Sequence, residues 1–423
     1  MESYLICLAA ALISGLMLSR LTKKLNLPAV TAYLVAGLLI GPFCLGAINI
    51  PGFGFNSLEQ VESFSIVTQT ALGFIAFTIG NEFRVKQLKA IGKTAIIIGI
   101  LQAVITTVLV DIVLIGLHLA FPNVISVPCA IVLGAIASAT APAATLMVVR
   151  QYKADGPLTR LLMLVVAIDD AVGLLLFSAS FGIASAISHG QVSVLGVVVE
   201  PIVEIVLSLL LGGIMGWLLD FVEQFFHSRG KRRSISVAFV LLTVGLSTLK
   251  FQIGGIHCGF SLLLVCMMTG TVFCNVCDTS KELMERVESW TVPLNILFFV
   301  ISGAELNLEV LANPITLLIG VIYILSRSAG KYYGAAISCG ITKQNKPITD
   351  NLGITLLPQA GVALGMAITA ATLPGGNMVR NVVLFAVLVY ELVGPALTRR
   401  SLLAVGEIKP EGRTSARKIN DHH

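Results

Sequence analysis

Charge is what this chain lacks. Of its 423 residues only 12% are Asp, Glu, Lys or Arg, while 56% are hydrophobic. A soluble domain carries roughly 25% charged residues, so a surface turned mainly to water is excluded and lipid is the solvent that fits. The net charge of +5 is dispersed between apolar runs, which excludes a nucleic-acid footprint. No HExxH or GxSxG occurs, so the chain lacks two common hydrolytic signatures, and no enzyme is expected. No GxGxxG follows a strand pattern, so neither a nucleotide-binding domain nor a cofactor is expected.

Cysteine pairing is also missing. Cys274 and Cys277 form a lone CxxC among eight cysteines. A zinc or redox role needs a second pair or a nearby histidine, and His257 lies at the far end of the preceding apolar run. The cysteines therefore read as small hydrophobes. The N-terminal stretch 1–24 has no basic segment ahead of its apolar run and no small-residue cleavage site. It reads as a first span and not as a removed signal peptide.

What the chain has is apolar runs: 3–20, 28–49, 63–82, 94–120, 126–149, 160–187, 193–220, 234–250, 256–274, 290–304, 314–338, 350–373 and 378–398. Each approaches the ~20 residues that a membrane helix needs. The expected fold is an all-α polytopic membrane protein of about thirteen transmembrane helices. Basic clusters at 20–24, 84–93, 150–160, 229–233, 281–286, 343–346 and 399–400 alternate with connections that hold no Lys or Arg. Lys250 and Arg380 flank two of those connections as single exceptions. Basic loops stay cytoplasmic, so the N-terminus is expected outside and the C-terminus in the cytoplasm. Residues 1–403 form the membrane domain and 404–423 a short polar tail.

Two stretches recur. FIAFTIGNEF (74–83) matches LFFVISGAEL (297–306), with Gly80 and Glu82 opposite Gly303 and Glu305. ATAPAAT (139–145) matches LLPQAGVAL (356–364), with Pro142 and Pro358 each inside an apolar run. Both matches are offset by seven runs. Seven is odd, so the matched segments cross the membrane in opposite directions. Repeat 1 is expected over about 1–187, a linker helix over 193–220 and repeat 2 over 234–403. A proline inside a helix removes a hydrogen bond and clashes with the turn before it. Small and polar residues surround both prolines: Ser138 and Thr140 in the first repeat, Gln359 and Gly361 in the second. Broken helices at corresponding places in inverted halves point to a binding site near the midplane.

The sixth run contains adjacent carboxylates, Asp169 and Asp170, about ten residues in. A charged aspartate at that depth costs at least ~3 kcal/mol, so two side by side argue for function. Burial and mutual repulsion make carboxyl groups hold protons to higher pH. One group can then hold a proton at one moment and a cation at another. Carboxylate oxygens, the Thr140 hydroxyl and freed backbone carbonyls are hard ligands for an alkali ion. Arg327, mid-run in YILSRSAGKYYGA, needs a partner. Asp111, Glu82, Glu305 and Asp169 are the candidates, in an ion pair that braces the helices. Lys331 is expected to snorkel toward the cytoplasm. Glu305 closes its run toward the outer side, and Glu391 reads as structural.

Together LNLPAVTAYLVAGLLIGP (25–42), ATAPAATLMVVRQYKADGPLTR (139–160), AIDDAVGL (167–174) and LLPQAGVALG (356–365) resemble the monovalent cation:proton antiporter-2 family of the sodium/proton antiporter superfamily. The resemblance covers nearly the whole chain. It implies two crossed discontinuous helices, a separate dimerisation domain, a homodimer in the plasma membrane and elevator-like alternating access. It implies that Asp170 is the ion-binding aspartate and that Asp169 is the partner position found as aspartate in electrogenic members. The pattern departs at one point: electrogenic relatives carry a lysine in the tenth span, and here none lies between Glu282 and Glu305. The nucleotide-binding tail of some potassium-efflux relatives is not expected here either. The expected function is exchange of Na+ or K+ for protons, with Asp169, Asp170 and Thr140 at the ion. A sodium-coupled symporter of an organic solute and a non-transporting membrane sensor are the alternatives weighed against it.

Overall fold

The computed structural model describes residues 2–24, 29–48, 54–81, 83–141, 145, 148–149, 152–188, 200–249, 251–253, 256–306 and 314–408. The helices are α1 (Glu2–Lys24), α2 (Ala29–Ile40), α3 (Leu58–Glu62), α4 (Ser65–Gly80), α5 (Val85–Ala120), α6 (Val127–Ser138) and α7 (Pro157–Ser188). They continue as α8 (Glu200–Glu223), α9 (Arg229–Ser247), α10 (Leu262–Val276), α11 (Ser280–Ala304), α12 (Pro314–Ile341), α13 (Lys346–Thr355), α14 (Gly361–Ala370) and α15 (Gly376–Val405). Every apolar run of the sequence meets one of these, and the run at 350–373 meets two, α13 and α14. Among the described residues, seven helices are long and apolar enough to cross a membrane.

The sequence expectation differs most at 256–274. There the chain first forms a two-stranded antiparallel ribbon, Phe251–Ile253 against Ile256–Cys258. Gly254-Gly255 between the strands is a dipeptide that tight hairpins favour. The helix begins only after Ser261. The tenth run is the opposite case: α11 starts at Ser280, well before residue 290, and carries Pro293 within it.

The helices pack as two groups. One holds α1, α2, α4, α9, α10 and α11. The other holds α5, α6, α7, α12, α13, α14 and α15. α8 lies against α10 of the first group and α7 of the second. The paired glycines explain two crossings in the first group. A Cβ on Gly80 would stand 2.1 Å from the Met267 carbonyl oxygen, and one on Gly270 would stand 2.0 Å from that of Phe77. A Cβ on Gly303 would stand 2.1 Å from the Leu34 carbonyl oxygen, and one on Gly37 would stand 1.9 Å from that of Val300. Backbones meet this closely only where neither helix has a side chain, as in small-residue contacts between membrane helices. The third span thus crosses the ninth as the tenth crosses the second. These are the same contact under an offset of seven, which is the geometry that inverted repeats require.

The end of α15 folds back onto the second group. Gly406 closes the helix in the left-handed region (φ 79°). Glu407 then caps α7: its carboxylate accepts from the Leu158 and Thr159 backbone N–H groups, both at 2.7 Å, and from the Thr159 hydroxyl at 2.6 Å. A carboxylate at a helix N-terminus satisfies orphan donors and the helix dipole together. Residues 409–423, the rest of the expected tail, lie outside the described residues.

Gly80→Ala and Gly303→Ala are expected to cost about 1–3 kcal/mol each by overpacking, read as a lower unfolding temperature in detergent. Gly213→Ala, where an added Cβ meets nothing within 4 Å, serves as the control and leaves stability unchanged or raised.

Candidate functional site

Two helices of the second group stop inside the apolar layer. α6 starts under a Ser126 cap that accepts from the Cys129 N–H, with proline in its first turn, and ends at Ser138. Ala139 is already extended (ψ 141°). α13 ends at Thr355, and α14 starts again at Gly361 after the extended stretch around Pro358. Proline cannot donate to the ladder and biases the residue before it away from helix. The two extended stretches meet, since the Ala141 N–H donates to the Pro358 carbonyl at 2.8 Å. Pro142, the other expected breaker, lies outside the described residues.

Each break releases carbonyl groups that lipid cannot satisfy. Side chains of the protein donate to many of them. At the end of α6, Ala135 O accepts from the Ser138 hydroxyl (2.7 Å), and Ile136 O accepts from the Gln359 amide (3.0 Å). Ala137 O and Ala139 O accept from Arg327 (3.0 and 2.7 Å), and Ser138 O accepts from Lys331. At the end of α13, Leu357 O accepts from Arg327 (2.7 Å), and Leu356 O lies 3.2 Å from the Thr140 hydroxyl. Arg327 therefore ties three carbonyls from both breaks. It is fully buried and lies 4.5 Å from the centre of the Tyr390 ring. This corrects the expected ion pair: no described carboxylate bonds Arg327, and Glu82 lies outside the described residues. A cation suits this place because the C-terminal ends of two helices carry partial negative charge.

One turn further along α12, Lys331 is equally buried. It does not snorkel to the cytoplasm. Its ammonium forms an ion pair with Asp169 Oδ2 at 2.7 Å, with both side chains fully buried. It also donates to the Thr140 hydroxyl (2.9 Å) and the Gln102 amide oxygen (3.1 Å). The Gln102 amide nitrogen donates to Asp169 Oδ1 and the Thr140 hydroxyl donates to Asp169 Oδ2. Asp169 thus has a cation, an amide and a hydroxyl around one carboxylate. α7 comes close to the break at Gly173, where a Cβ would stand 3.1 Å from Ser138 Oγ. Asp170 follows on the same helix, and its side chain lies outside what is described.

The structure therefore brings Asp169, Thr140, Ser138 and Pro358 together with Lys331 and Arg327. Gln359 sits on another side of the crossing, donating to Ile136 O and to the Tyr323 hydroxyl, both at 3.0 Å. Gly361 opens α14 beneath Phe299. Glu305 stands apart at the end of α11, 3.7 Å from Arg380 of α15. Sequence reasoning missed two members. Gln102 is a lone amide within a long apolar run. Lys331 follows Arg327 by four residues, the spacing that puts both on one helix face.

Arg327→Ala is expected to strand three buried carbonyls, each at about 1–3 kcal/mol, and to lower the unfolding temperature in detergent sharply. Arg327→Lys should recover only part of that loss, because an ammonium cannot fork across the two breaks.

Comparison with known proteins places this geometry. The family model described as "Sodium/hydrogen exchanger, transmembrane" matches residues 8–402. The high-affinity Na(+)/H(+) antiporter NhaS3 of Synechocystis is 24% identical over 81% of this chain and 77% of its own length. The K(+) efflux antiporter 6 of Arabidopsis thaliana is 27% identical over 70% of this chain, which spans about half (47%) of that longer protein. The structure of the sodium proton antiporter MjNhaP1 of Methanocaldococcus jannaschii superposes with a TM-score of 0.73 over 94% of this chain and 98% of its own. At 19% identity that likeness concerns the fold. With the match running almost from end to end, the chain belongs to the sodium/hydrogen exchanger family of membrane proteins.

Proposed function

We propose that the protein moves a monovalent cation, Na+ or K+, across the membrane in exchange for protons, by alternating access to a site built on Asp169 and Asp170. The observation that carries this reading is the Asp169 cluster: a fully buried carboxylate, at the crossing of two broken helices, held by an ammonium, a hydroxyl and an amide. Two of the atoms around Lys331 Nζ, Asp169 Oδ2 and Thr140 Oγ, are oxygen ligands of the kind an alkali ion takes. The ammonium thus stands where a bare cation would find hard donors, and it acts as an internal substitute for the transported ion. Cation entry frees Lys331, and cation release lets the ammonium return. Asp170 is the carboxylate that binds the transported ion, and Asp169 alternates between it and Lys331.

This arrangement replaces the tenth-span lysine of electrogenic relatives with a lysine from the eleventh span, reaching the same first aspartate from α12. The two packed groups of helices supply the moving parts, with the second group carrying the site. The reading also takes the protein as a homodimer in the plasma membrane, with its N-terminus outside and its basic loops in the cytoplasm.

Proton flux in proteoliposomes with a trapped pH-sensitive dye tests the proposal. Addition of Na+ or K+ is expected to move protons in the parent protein, and Asp170→Asn is expected to abolish the response. Full activity in that variant would sink the assignment. Asp169→Asn leaves Lys331 as a buried unpaired charge, which costs about 3–5 kcal/mol. The double variant Asp169→Asn/Lys331→Met is expected to regain most of that stability without regaining exchange. Equal losses that simply add in the double variant would show that the pair is not coupled.

A further inference from the structure

A second buried carboxyl group lies where the two groups of helices touch. Glu391 of α15 is 1% exposed. Its Oε2 accepts from the hydroxyl of Thr31 on α2, itself 1% exposed, at 3.3 Å. Thr31 belongs to the first group and Glu391 to the second, so this hydrogen bond spans the boundary between them. Among the described residues it is the one side-chain hydrogen bond of Glu391, and no ion pair reaches the carboxyl group. The place is close to the crossing. Gly394, one turn further along α15, packs on Pro358, where a Cβ would stand 2.9 Å from the ring. Val30, next to Thr31, packs on Ala141 and Ala360.

The other titratable groups on the packed elements are engaged elsewhere. On α2, Tyr33 packs on Gly15 of α1. On α6, Cys129 lies in the first turn, near the Pro374 carbonyl. On α7, Asp169 is held by Lys331, with Asp170 beside it in sequence. On α12, Tyr323 bonds Gln359, Arg327 holds the three carbonyls, Lys331 pairs with Asp169, and Tyr332, Tyr333 and Cys339 lie further along the helix. On α13, Lys346 and Asp350 lie in its first turns, and α14 has none. On α15 itself the Tyr390 hydroxyl donates to Ile324 O at 2.8 Å.

We infer that Glu391 is a positioning residue for exchange, whose protonation sets whether the two groups of helices can move past each other. An ionised Glu391 is a buried charge whose only side-chain support among the described residues is the Thr31 hydroxyl on the opposite group. Relative movement of the groups strips that hydrogen bond away and leaves the charge without any compensation, which is costly in an apolar layer. The neutral acid meets no such barrier. Transport is therefore expected to slow as pH rises through the ionisation of Glu391, in addition to the proton competition at the Asp169–Asp170 site. This rests on the exchange reading proposed above.

The experiment is cation-driven proton flux in proteoliposomes at saturating cation and equal pH on both sides, measured across the alkaline range. Glu391→Gln has the same shape and keeps an acceptor for Thr31, so a purely structural role would leave the profile unmoved. The inference expects the parent rate to fall with pH and Glu391→Gln to escape that fall, exceeding the parent about twofold at the midpoint of its decline. Glu391→Asp should retain the fall. Thr31→Val, which removes support for the ionised form, should move it to higher pH and gives a second reading if Glu391→Gln does not fold. A parent profile with no alkaline fall overturns the inference, as does superposition of the Glu391→Gln or Thr31→Val profile on the parent. Absence of cation-driven flux in the parent would instead overturn the exchange reading.

Discussion

A helix that stops inside a membrane leaves carbonyl groups with nothing to bond, and this protein stops two helices at one place. The rest of the site follows from how that deficit is met. Lipid offers no donors, and here side chains supply them. A forked guanidinium is the one side chain with enough of them in a fixed plane. Arg327 reaches Ala137, Ala139 and Leu357 at once, joining the ends of α6 and α13 into a unit. The charge costs little there because the helix ends it caps are partially negative. Without this tie the proline breaks would be a defect; with it they become a rigid frame around freed backbone.

The frame explains why a second buried cation is tolerated one turn away. Lys331 finds Ser138 O and Thr140 Oγ on the same broken stretch, and Asp169 on α7 supplies the opposite charge. A buried pair of this kind contributes little net stability compared with apolar residues of the same size. On the exchange proposed above, its value lies in being reversible, since an ammonium can give way to an alkali ion at the same oxygens. Arg327 and Lys331 are neighbours on one face of α12, yet one ties three carbonyls and the other pairs with a buried carboxylate.

Distribution of contacts separates these roles in space as well. The first group of helices is locked by glycine crossings in which backbones touch, a geometry that resists sliding. The second group carries the breaks, both buried cations and both aspartates. Between them the described polar contacts include Thr31 to Glu391, Glu305 near Arg380 and the Ser178 and Ser261 hydroxyls at 3.1 Å, and, where α5 begins, the Val85 N–H to Asn275 Oδ1 at 2.7 Å and Arg84 to Ser280 Oγ at 3.2 Å. A boundary with few polar points is compatible with the relative movement that the proposed alternating access requires.

The sequence by itself determined the membrane class, the apolar runs and the broken helices. Each of these follows from properties that local composition records: hydrophobicity per length, the missing N–H of proline, and the missing Cβ of glycine at Gly80 and Gly303. The aspartate pair was legible for the same reason, since a charge inside an apolar run is costly wherever it points. Partners were not legible. Arg327 was expected to meet a carboxylate and meets carbonyls, because the carbonyls lie thirty residues away on one side and nearly two hundred on the other. Lys331 was expected to reach toward the cytoplasm, and Gln102 drew no notice. A side chain's partner depends on which faces of which helices pack together, and only the tertiary structure decides that.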